Sequence, residues 1–81
     1  MEFKKYSISE VIEKMEYGQI AIMVENNYKE PFSGVGTAIY YDESDYGILK
    51  FLNSNNPVMV TKGDSENGVC NWIIVDGDGV V

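Results

Sequence analysis

The apolar positions of this chain fall into two periods. Ile8, Val11, Ile12 and Met15 recur at i, i+3, i+4 and i+7, which is one stripe of a helix. Ser7 stands three residues before Glu10, the spacing of a capping box in which each side chain satisfies a free N–H of the first turn. Tyr6 is placed to staple onto Val11, Glu10 and Lys14 form an i, i+4 pair, and Gly18 offers a left-handed stop. The pattern predicts a helix over residues 8–17.

After Gly18 the period shortens. QIAIMVE, residues 19–25, is a continuous apolar run, as expected of a strand covered on both faces. Further strands are predicted at 37–41 (TAIYY), 48–52 (ILKFL), 58–61 (VMVT) and 69–75 (VCNWIIV). DESDYG turns the second strand into the third as an antiparallel hairpin, and Pro57 limits the fourth to an entry position. One helix followed by short-looped strands is an α+β domain, with the helix packed on an antiparallel sheet of about five strands.

Alternation assigns faces. Tyr40 and Tyr41 must point oppositely, one into the core and one outward, where a tyrosine marks an interface with a second subunit. In the last strand Cys70, Trp72 and Ile74 suit a buried face, whereas Asn71 falls on the other face among Val69, Ile73 and Val75. Its amide needs partners there, so Asn71 is a candidate ligand-binding residue. Tyr28 and Phe32, in the turn-rich loop of residues 26–36, fit no strand face and are candidate stacking walls for a flat base.

Composition then removes most chemistry. The chain has 81 residues, enough for one domain that buries about 60–65% of its unfolded surface, so association with further copies is expected. With no histidine and one cysteine it has no imidazole base, no usual zinc site and no intramolecular disulfide, so no enzyme, metal or cofactor is expected. DESD and DGDG (residues 76–79) read as turns and not as calcium loops. Gly34 and Gly36 flank a valine ahead of a strand and not a helix, which fails the dinucleotide fingerprint. No apolar run is long enough to span a bilayer and no secretory leader is visible, so a cytoplasmic protein is expected.

Thirteen acids against six lysines give a net charge of −7. Direct binding to nucleic acid is not expected of such a chain. The acids either keep a small protein dispersed or imitate nucleic-acid phosphates toward a basic host protein, such as a nuclease or DNA-binding factor.

SISEVIEKMEYGQIA, residues 7–21, resembles the opening of the Thoeris anti-defence 2-like family of small phage and prophage proteins, where an amphipathic helix ends in glycine and leads into an apolar strand. ENGVCNWIIV, residues 66–75, is similar to the family's closing acidic turn, small residue and aspartate–tryptophan pair, with Asn71 at the aspartate and Trp72 at the tryptophan. Where members carry an arginine and a glycine–tryptophan pair, this chain has Glu25, Asn26, Asn27 and Tyr28. The resemblance implies an oligomeric sponge that sequesters a cyclic nucleotide immune messenger, of the cyclised ADP-ribose type, in pockets between subunits without cleaving it. It implies that Tyr28 replaces the stacking tryptophan and that Asn71 occupies the polar ligand position. Phe32 as a second aromatic wall and Lys62 as a phosphate contact come from the residues themselves.

Overall fold

A computed structural model of the chain describes residues 3–26, 35–60 and 70–77. It is α+β: helix α1 (Ile8–Lys14) packs on a sheet of four strands, β1 (Gln19–Asn26), β2 (Ala38–Asp42), β3 (Ile48–Phe51) and β4 (Cys70–Asp76). The strand order is β3-β2-β1-β4 and every pairing is antiparallel.

The start of α1 is the capping box. Ser7 Oγ accepts from the Glu10 backbone N–H, and the Glu10 carboxylate accepts from the Ser7 N–H. That reciprocal bond, first of all, holds the Glu10 carboxyl below its usual value of 4.5. Replacing Ser7 with alanine is expected to cost about 1 kcal/mol in a urea melt. Glu10 is thereby committed, and no Glu10–Lys14 ion pair forms among the described residues; the Lys14 ammonium lies 5.9 Å from the Tyr6 ring centre instead.

The helix ends earlier than its periodicity predicts. Met15 is already extended (φ −69°, ψ 135°), which lets its side chain drop into the core. Gly18 therefore caps no helix. It sits third in a turn closed by Gln19 N–H to Glu16 C=O at 3.1 Å, and its φ of +86° is what a type II turn requires there. Ile12, although part of the stripe, is 41% exposed.

Val11, Met15, Ala21, Ile39 and Trp72 form the buried cluster, with Tyr6, Ile8, Met23, Tyr41, Leu49, Phe51, Val58 and Ile74 packed around it. Trp72 is core as the alternation predicts, but its indole N–H has no acceptor among the described residues. Tyr41 faces this cluster and its hydroxyl donates to the Ile12 carbonyl at 2.6 Å, while Tyr40, on the opposite face, donates to Asn55 Oδ1 at 2.7 Å.

The predicted hairpin between β2 and β3 is present, with a five-residue loop, Glu43–Gly47. Asp42 caps a 3-10 turn over Glu43–Asp45, and Tyr46 is left-handed at φ 58°. Beyond β3 the predicted strand at 58–61 is pared to a single bridge, Lys50 with Pro57, followed by Val58 N–H to Leu49 C=O at 2.8 Å. Proline has no N–H to offer a ladder, and residues 58–60 add no further pair; Thr61 lies outside the described residues. At the other edge Tyr6 exchanges both backbone hydrogen bonds with Trp72, at 2.8 and 2.9 Å. No helix among the described residues is long and apolar enough to cross a membrane.

Candidate ligand-binding cleft

The candidate site is built by an irregularity in β1. Met23 pairs with Trp72 and Glu25 with Asn71, so Val24 is an extra residue and the ladder is bulged between them. In an unbroken strand Glu25 would share the face of Ala21 and Met23, beneath the helix. The bulge delivers its carboxylate to the face of Asn71 instead.

There Asn71 Nδ2 donates to Glu25 Oε2 at 2.7 Å, and the Lys5 ammonium forms an ion pair with Glu25 Oε1. Lys5, first, and Asn71, second, hold the Glu25 carboxyl below its usual 4.5. The suspicion that Asn71 needs a polar partner is answered: that partner is Glu25. An open cleft of about 300 Å³ lies alongside, lined by Phe3, Lys5, Val24 and Ile73. Phe3 is 54% exposed and offers a ring to anything in the cleft.

Of the residues expected from sequence, Asn71 is placed here. Tyr28, Phe32 and Lys62 lie outside the described residues. Phe3, Lys5 and Glu25 were not expected. Lys5 and Glu25 are 20 residues apart and Glu25 and Asn71 are 46 apart, and only the sheet pairing with its bulge joins them. β1 ends at Asn26, which pairs with Cys70 at the start of β4, so the chain leaves one strand and enters the other at the end that holds Asn71.

No family model, curated protein or solved structure matches the chain.

A second polar cluster explains DESD. Lys50 Nζ lies 2.9 Å from Asp42 Oδ2 and 2.7 Å from Asp45 Oδ2, and its side chain is only 13% exposed. Ser44 donates to Asp42 through both its N–H and its hydroxyl, at 3.0 and 2.6 Å. These carboxylates are held by the turn and the lysine, and no metal-binding group of side chains is found among the described residues. Ser44, then Lys50, hold Asp42 below its usual 3.8, and Asp45, then Asp42, raise Lys50 above its usual 10.5.

A depressed carboxyl contributes stability above its unfolded value and loses it as pH falls through the folded one. Lys50→Ala is therefore expected to lower the melting temperature at pH 7, and still to do so at pH 10. The difference from the parent is expected to shrink as pH falls below 3.8, through the lowered value of Asp42. Thermal melts of both proteins across that range measure it.

Proposed function

We propose that this chain is a non-enzymatic phage counter-defence protein that binds a cyclic nucleotide immune messenger, of the cyclised ADP-ribose type, and keeps it from its receptor. It acts in the cytoplasm of an infected bacterium and as a homo-oligomer. The observation that carries the reading is the Lys5–Glu25–Asn71 network beside an aromatic-walled cleft, at the end of the sheet where β1 is left and β4 entered.

Each residue then has a task. Phe3 supplies a face for a base, with Tyr28 and Phe32 as further walls. Asn71 gives one N–H to Glu25, and its oxygen and second N–H are the valences that would read a base edge. Phosphates must overcome a net charge of −7. Lys5 meets that difficulty by exchanging its carboxylate partner for a phosphate, and Lys62 adds a second cation.

A thermal-shift screen against cyclised ADP-ribose isomers and cyclic di- and trinucleotides tests the reading. A ligand at a hundred times its Kd adds about 2.7 kcal/mol, which raises the midpoint of a domain this small by about 10–20 °C. The shift is expected to be lost in Asn71→Ala and in Tyr28→Ala. A flat response to the whole panel overturns it.

A second reading, an acidic inhibitor that imitates DNA charge toward a basic host protein, is favoured by the exposed acids Glu13, Glu16 and Glu43. Its binding would fall steeply with salt, whereas that of a stacked nucleotide would not.

A further inference from the structure

A second cleft, of about 510 Å³, lies at the other end of β1 from Asn71. It is lined by Met15, Glu16, Tyr17, Tyr41 and Gly47. Its two tyrosine rings stand nearly perpendicular, at 79°, with centres 6.3 Å apart. Tyr41 is fixed, since its hydroxyl is bonded to the Ile12 carbonyl, and burial, with the neighbouring Tyr17, raises that hydroxyl above its usual 10.0 and keeps it neutral. Tyr17 is 55% exposed and lies against Gly47, which has no Cβ to push it away: one added there would stand 2.4 Å from the Tyr17 hydroxyl.

Two π faces set at a right angle beside a carboxylate favour one class of group, an organic cation. The quadrupole of each ring attracts positive charge to its face. Glu16 is on the cleft wall, Glu13 is exposed three residues before it, and Glu43 is exposed in the loop that ends at Gly47. A free small cation gains little here, because a single exposed cation–π contact is worth less than about a tenfold in affinity. A polypeptide that also meets the surrounding acids gains from all of them, and a chain at −7 draws it in at long range.

We infer that the Tyr17–Tyr41 cleft is a docking site for an arginine side chain presented by a basic protein partner. Planar guanidinium stacks on a ring face while reaching a carboxylate, which the compact ammonium of lysine does less well. The inference deepens the second reading above and is independent of the nucleotide cleft.

The test is a titration of the ¹⁵N-labelled protein with an acetylated tri-arginine amide at low salt, and with its tri-lysine counterpart. Shifts are expected to concentrate on the amides of Glu16, Tyr17 and Gly47, with tri-arginine the tighter. Tyr17→Ala removes no charge and, at an exposed position, leaves the fold intact. It is expected to weaken tri-arginine about three- to tenfold, while Tyr17→Phe keeps the ring and the affinity. Binding that Tyr17→Ala leaves unchanged overturns the cleft but not the acidic surface. No binding at all overturns both.

Discussion

Ile39→Ala is expected to remove about 3–4 kcal/mol of stability, read as a lowered midpoint in urea with the slope unchanged. Ile39 is fully buried, lies on a central strand of the sheet and packs in the cluster with Val11, Met15, Ala21 and Trp72. Truncation of a buried isoleucine costs about 2–5 kcal/mol, the upper part where the surroundings cannot collapse into the space. Here they cannot collapse easily, because β2 is hydrogen-bonded on both sides, to β1 and to β3. A domain of this size has roughly 4–12 kcal/mol in all, so this single change brings it near the edge of folding. A loss under about 1 kcal/mol would mean that Ile39 is not enclosed as described.

Trp72 gives the second large effect, and a pair of substitutions separates its two parts. Trp72→Ala is expected to cost about 3–5 kcal/mol, because the ring fills the space between β4 and α1 and is 5% exposed. Trp72→Phe is expected to cost under about 1 kcal/mol, although it also removes volume. The reason is the indole N–H, which lacks an acceptor among the described residues; a buried donor left unsatisfied costs about 1–3 kcal/mol, and phenylalanine does not carry it. If Trp72→Phe is as damaging as Trp72→Ala, the indole N–H has a partner and contributes through it.

What sequence disclosed here was local. The N-terminus of α1 was legible because Ser7 and Glu10 satisfy each other within one turn, and the β2–β3 hairpin because its turn residues are contiguous. The other end of α1 was not. A glycine with a left-handed backbone looks the same whether it caps a helix or serves a turn, and only the burial of Met15 decides for the turn. The alternation in β4 correctly separated Trp72 from Asn71, and so isolated one residue of the candidate site. The partners of Asn71 were hidden, because a bulge breaks the very alternation used to read faces. Nothing in QIAIMVE announces that Val24 is the extra residue and that Glu25 therefore emerges beside Asn71.

The covered edges of the sheet restrict how copies of the chain can assemble. On the β4 side Tyr6 holds both outward backbone groups of Trp72, and on the β3 side the turn after Phe51 holds both groups of Phe51 and the carbonyl of Leu49. A neighbour seeking to lengthen the sheet must first peel away one of these short covers, and with it the Tyr6 packing or the Val58 contact with the core. Continuous pairing of a neighbour along either edge is thereby interrupted, at Trp72 on one side and at Phe51 on the other. Any association of copies is then steered toward side-chain surfaces, where the symmetry of the contact decides between a closed ring and an open filament.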